Sequence, residues 1–218
     1  RFFQKHSLHP LSPDERVTSL QLLEMQRHAM LMYTSCGWFF DEITGIEAMQ
    51  VVQYSARAMQ LARDVAGIDL EPAYIKILER AKPNIPRFAT AGDAYLSYIK
   101  PSVLDLPRVG AHYAASSLFA EAHEDTAGIF SYCVTSEAFD RVELGRQRLV
   151  IGKAVLRSNI THEEALLYYA FLHLGEQNVL GSVTREIAGG TFDEVAAWIR
   201  ESFQRGNLAE VIILSDIH

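Results

Sequence analysis

The run EALLYYAFLHL, residues 164–174, fits two periods at once. Thr161 and Glu164 offer a capping box for a helix, whereas the density of aromatic residues suits a strand. We take it as a strand. Its neighbours GIFSYCV (128–134), FDRVEL (139–144) and QRLVIGKAVLRS (147–158) are short and rich in β-branched and aromatic residues, and turn-like Gly145-Arg146 and Ser158-Asn159 separate them. The expectation is an antiparallel sheet of four or five strands over residues 126–186.

C-terminal to it, Thr191 and Glu194 cap FDEVAAWIRESFQR, Gly206 ends that helix, and LAEVIILSDIH forms a last short one, so that residues 190–218 are C-terminal helices. N-terminal to it the chain is mostly helical. Ser12, Pro13 and Glu15 start a long first helix with cap, N1 proline and capping box. Its stripe is Val17, Leu20, Leu23, Arg27, Met30, Leu31 and Thr34, and Gly37 suits the left-handed residue that ends it. Thr44 and Glu47 form a second capping box, from which IEAMQVVQYSARAMQLARDVAG runs to Gly67 as the other arm of an antiparallel hairpin. Further helices are expected at PAYIKILERA, AGDAYLSYIK and PRVGAHYAASSLFAEA, placed by Pro83, Pro101 and Pro107. The fold class is α+β: a helical bundle over 12–125, the β region, then the C-terminal helices, with no linker between them and hence one packed unit.

The hairpin connection is compositionally odd. YTSCGWFFDEITGIE (33–47) sets Trp38, Phe39 and Phe40 in a row before Asp41 and Glu42. Consecutive side chains diverge by about 100° on a helix and 180° on a strand, so one face cannot hide all three rings. Flat apolar rings beside carboxylates are what a sugar site needs, for pyranose C–H faces and hydroxyls respectively. The same composition suits an interface between domains, and core packing is the commonest fate of such rings. Arg27 and His28 precede the loop on the first helix, facing either the loop or the bundle.

Other chemistry finds little support. With a net charge of −7, the chain has no electrostatic reason to bind nucleic acid or an anionic membrane. No apolar run has the length of a membrane span, and RFFQKHSLHP lacks the apolar core of a signal peptide. Cys36 and Cys133 stand far apart, outside any CxxC group, which fits a reducing, cytoplasmic setting. His28, His112, His123 and His173 lie outside any metal-binding motif, IAGGTF lacks the lysine of a phosphate loop, and no cofactor is expected. The sequon at Asn159-Ile160-Thr161 matters only in a secreted protein.

LLEMQRHAMLMYTSCGWFFDEITGIEAMQVVQYSARAMQLA resembles the uncharacterised domain that follows the catalytic domain in one subgroup of family 57 glycoside hydrolases, the α-amylase and α-mannosidase-like group. The likeness extends through KPSVLDLPRVGAHYAASSLF, GRQRLVIGKAVLRSNIT, LHLGEQNVLGSV and FQRGNLAEVI. It implies a parent enzyme whose distorted (β/α) barrel carries two catalytic carboxylates, cleaving or transferring α-glucans with retention. Such a pair stands about 5–5.5 Å apart across the scissile bond. SCGWFFDE looks like the counterpart of the motif that the family's helical region lends to the rim of the active site, with the order of aromatic and polar residues changed. Adjacent Asp41 and Glu42 could not oppose each other across a sugar ring. No strand–helix units precede the first helix and the chain begins without methionine, which predicts a non-catalytic part of a longer protein. On this reading Trp38, Phe39 or Phe40 stacks on sugar or closes the barrel's open side, and Asp41 or Glu42 fixes hydroxyls or pairs with the barrel. The expected partners are the barrel of the same polypeptide and an α-glucan oligosaccharide. In isolation the apolar patch would be covered by a homodimer.

Overall fold

The computed structural model describes residues 2–217, and the side chains of residues 2–215. The chain is α+β and divides into two compact units, Arg1–Val103 and Leu104–His218.

The first unit is helical: α1 (Phe2–His6), α2 (Pro13–Leu31), a 3-10 turn (Ser35–Gly37), α3 (Ile46–Ala66), α4 (Glu71–Leu78) and α5 (Ala91–Ala94). α5 continues through a π turn (Tyr95–Ile99) and a 3-10 turn (Lys100–Ser102). The capping box of α2 forms as its sequence dictates: Ser12 Oγ accepts from the Glu15 amide at 3.3 Å, and Glu15 Oε2 accepts from the Ser12 amide at 2.8 Å. α3 ends at Gly67, whose φ of 67° is the left-handed cap. Met49, Val52, Ala56 and Met59 of α3 pack with Leu78, Ala94, Tyr95 and Ile99 into one core. The buried Tyr95 hydroxyl donates to Glu71 Oε1 at 2.7 Å, and Lys100 Nζ holds Glu71 Oε2 at 2.7 Å. Burial, reinforced by that carboxylate, pushes the phenol well above its ordinary value.

α2 departs from its expected face. Leu23 and Met30, placed in its stripe, are 47% and 66% exposed, while Glu24 is the residue of α2 that is buried. Apolar periodicity finds the apolar residues of a helix but not the side from which its neighbour arrives. α3 packs against the side that carries Glu24 and His28, and the His28 ring lies 5.8 Å from that of Tyr54.

The second unit begins with α6 (Leu106–Ser117), capped by Asp105 Oδ1, which accepts from the Arg108 amide at 2.8 Å. Grouped by sequence with the preceding bundle, α6 instead packs on the sheet and belongs to this unit. The sheet has five consecutive antiparallel strands: β1 (Thr126–Ile129), β2 (Tyr132–Leu144), β3 (Gln147–Ser158), β4 (Glu164–Gly175) and β5 (Asn178–Thr184). GIFSYCV is therefore a hairpin, with its turn at Phe130-Ser131, and FDRVEL continues β2 beyond a bulge between Ser136 and Ala138. α7 (Phe192–Gln204) starts at the expected Thr191–Glu194 box, and α8 (Leu208–Ile217) follows.

β4 owes its uniformly apolar sequence to burial on both faces. Leu167, Tyr169 and Phe171 join Val150, Ala154 and Leu156 of β3 beneath Val109 and Tyr113 of α6. Ala170 and Leu172 face the other way, with Leu149 and Ile151, against Val195, Ile199 and Phe203 of α7 and Val211 of α8. The capping box that would have made this segment a helix does not form. Ser158 Oγ accepts from the Ile160 and Thr161 amides instead, and Glu164 pairs in register with Arg157. Glycines allow close approach: a Cβ on Gly110 would lie 2.8 Å from Leu167 Cδ1, on Gly152 2.3 Å from Tyr169 Oη, and on Gly181 2.4 Å from Phe171 Cγ. Aromatic rings of β4 thus lie across glycines of both neighbouring strands.

Candidate functional site: the aromatic loop of the helix hairpin

After Leu31 the chain leaves α2 with Thr34 Oγ1 donating to the Leu31 carbonyl at 2.9 Å and enters the 3-10 turn. Gly37 is not left-handed, as expected of a helix terminator. Its role is proximity, because a Cβ there would come within 3.2 Å of Val51 Cγ1 on α3. Against that support the next three side chains point outward. Trp38 is 73% exposed, Phe39 69% and Phe40 52%. The two phenyl rings form an edge-to-face pair with centroids 5.1 Å apart, an arrangement favoured by ring quadrupoles. Tyr33, Met30 and Ile46 are also exposed on the hairpin.

The two acids that follow part company. Glu42 faces inward. One of its oxygens accepts from the Thr44 amide at 2.7 Å and from the Thr44 hydroxyl, and the other from the amides of Asn84 and Ile85 at 2.8 and 3.0 Å. These bonds, led by that of the Thr44 hydroxyl, hold its carboxyl below the ordinary glutamate value. They also consume Thr44, so the Thr44–Glu47 capping box is not made and α3 starts from Gly45 without a side-chain cap. Asn84 Nδ2 donates to the Asp41 carbonyl, whereas the Asp41 carboxylate has no hydrogen-bond partner among the described residues. The result is a platform of three rings and one free acid, latched from behind by Glu42. The latch partners Asn84 and Ile85 sit in KPNIPR, between Pro83 and Pro86, and only that proline pair marks the segment in the sequence.

Glu42→Gln cannot accept four donors, since its amide would face two N–H groups. Amide exchange at Asn84 and Ile85 is expected to accelerate while the sheet unit keeps its protection. In the unsubstituted chain the protection of these amides relative to their intrinsic rates falls as pH drops below the ordinary carboxyl value of about 4.3, because a depressed folded-state pKa contributes stability above that value and loses it below.

Arg27 and His28 resolve differently. His28 turns into the seam with α3, while the Arg27 side chain stays half exposed with its guanidinium on Glu24, Nε at 2.8 Å and Nη2 at 2.6 Å. Among the described residues, no three His, Cys, Asp or Glu side chains converge as for a metal ion. Cys36 and Cys133 are free, and no described helix is long and apolar enough to cross a membrane.

The model of the family described as a domain of unknown function, DUF3536, matches residues 1–218. The chain belongs to that family. No curated protein and no solved structure matches this DUF3536 domain. The family description names no substrate, so the chemistry rests on the residues themselves.

Proposed function

We propose that this DUF3536 domain is the accessory domain of a family 57-like glycoside hydrolase acting on α-glucans. Trp38, Phe39, Phe40 and Asp41 supply the rim of the sugar site, and the rings also meet the catalytic barrel of the same polypeptide. The observation that carries the reading is that three consecutive aromatic rings stand in solvent on a loop held rigid from behind. A rigid platform loses little conformational freedom when a sugar or a neighbour arrives. Glu42, with four donors from its own chain, is a support and not a nucleophile or acid, which agrees with placing the catalytic pair elsewhere.

A second reading, a protein-interaction domain without sugar contact, draws on the aliphatic exposure of Leu22, Leu23 and Met30 along α2. The two separate on one titration. In a Trp198→Phe background Trp38 is the sole indole, and maltoheptaose is expected to change its emission saturably in the millimolar range. Trp38→Ala, read by the amide shifts of Phe39 and Phe40, weakens binding about tenfold, or 1.4 kcal/mol. A flat titration in both formats leaves the interaction reading.

A further inference from the structure

The second unit holds a cleft unrelated to the aromatic loop. It lies between the C-terminal half of α6, the α6–β1 connection and the β1–β2 hairpin, with a volume of about 380 Å³, within the usual range for a small-molecule site. Ala127, Ile129 and Phe139 give it apolar lining, and the buried Tyr113 and Ser117 of α6 line it too. Further polar lining comes from Ser116 of α6, Glu124 of the connection and Arg141 of β2. Arg141 Nη1 pins the connection by donating to the Ala120 carbonyl at 2.5 Å, yet the side chains of Ser116 and Glu124 have no hydrogen-bond partner among the described residues.

Every residue from 119 to 125 is exposed, yet two of their rings have defined partners, Phe119 standing edge-on to His173 with centroids 5.0 Å apart. The imidazole of His123 lies flat on the Phe139 ring, centroids 3.8 Å apart and planes 6° from parallel. A second ring pair adjoins the cleft, where His112 of α6 meets Phe130, centroids 5.8 Å apart. Phe130 is 83% exposed and has a φ of 52°, a left-handed conformation that is unfavourable for a bulky side chain. Phe139 rests on the core beneath α6, whereas His112, His123 and Phe130 face solvent.

We propose that this cleft binds a neutral, planar heteroaromatic ring of the purine or pyridine type, which takes the place of His123 on Phe139. A flat heterocycle already occupies the slot, which shows that the Phe139 face accepts parallel stacking. The hydroxyl, carboxylate and guanidinium around it offer donors and acceptors to the polar edge of such a ring. A pyranose would present only C–H groups to such a ring, whereas a heteroaromatic makes the ring-on-ring contact that His123 already makes there, and the chain's net charge of −7 disfavours an anionic ligand.

Adenosine is the probe, titrated into the whole chain and followed by the Cε1–H resonances of His112 and His123, with maltose and inorganic phosphate as comparators. The expected result is a saturable, ring-current-shifted response to adenosine alone at millimolar concentration. His123→Ala removes the resident ring and strengthens binding several-fold, read from the amides of Ala120 and Ala122. Phe139→Leu keeps an apolar side chain but removes the aromatic face; it still unfolds in one cooperative transition and loses binding. The proposal is overturned by the absence of a saturable adenosine response, by a response to maltose instead, by weaker binding in His123→Ala, or by full affinity in a correctly folded Phe139→Leu.

Discussion

Gly152→Ala is expected to destabilise the sheet unit by roughly 3–4 kcal/mol, because the added methyl cannot coexist with the ring laid over it. A Cβ at residue 152 would stand 2.4 Å from Tyr169 Cζ and 2.6 Å from the Ala138 carbonyl. The first neighbour is a side chain that could move and the second is backbone that could not. Tyr169 is 4% exposed, and displacing it forfeits burial comparable to an aromatic-to-alanine truncation, about 3–5 kcal/mol. Calorimetry should show a transition lowered by roughly 10 °C or more. Tyr169→Leu in the same chain should return part of that loss, since the double variant removes the clashing atoms, and the coupling energy measures the clash. If the two substitutions simply add, the ring is not what excludes the methyl. Burial pushes the Tyr169 phenol far above its ordinary value, so ionisation of the ring plays no part at neutral pH.

The second large effect lies in the helical unit. Glu24 of α2 is 9% exposed, and its carboxylate serves Arg27 and His28, Oε1 lying 3.0 Å from His28 Nε2. Glu24→Ala strands a buried imidazole and should cost about 1.5–3 kcal/mol, the range for a hydrogen bond to a charged group. Arg27 is half exposed and can turn to water, so its share is small. The pH dependence has a definite sign. The hydrogen bond from Arg27 holds the Glu24 carboxyl below its ordinary value, and burial, only partly opposed by Glu24, holds the His28 imidazole below its own. For both groups the unfolded chain binds protons more readily, so stability is complete above the ordinary pKa and falls as pH drops. The helical unit should weaken first below about pH 6.5, as His28 is forced to charge, and again below about 4.3, as Glu24 is neutralised. Chemical denaturation between pH 8 and 3 measures this, and a profile flat down to pH 5 would show that His28 is not buried neutral. Replacing both residues, Glu24→Leu with His28→Leu, should recover stability and remove the upper step, because an apolar pair at this seam avoids the cost of desolvating charge.

Glu24 also marks the limit of what could be read from the sequence. The start of α2 was legible, because a capping box and an N1 proline are local and act within four residues. The strand at 164–174 was legible through its composition, although the Thr161–Glu164 pair imitated a helix start. Which face of α2 packs was not legible, because that is set by where α3 lies. The Thr44–Glu47 box failed for a related reason: Glu42 draws Thr44 away, and it is held in place to do so by Asn84 and Ile85, more than forty residues on. The hairpin inside GIFSYCV was hidden because its turn uses Phe130 at positive φ, where glycine or asparagine would have announced it. For the aromatic loop, spacing alone required at least one of the three rings to leave the core; that all three stand in solvent did not follow from it. The division of labour between Asp41 and Glu42 did not, since both are acids in consecutive positions.

The simple order of the sheet bears on how the protein is made. Each strand lies beside the one synthesised immediately before it, so every pairing after the first closes only a short loop and demands little entropy from the growing polypeptide. A ribosome-bound chain can therefore zip the sheet hairpin by hairpin as it emerges. The last layer to arrive, α7 and α8, then seals the apolar face that the finished strands present.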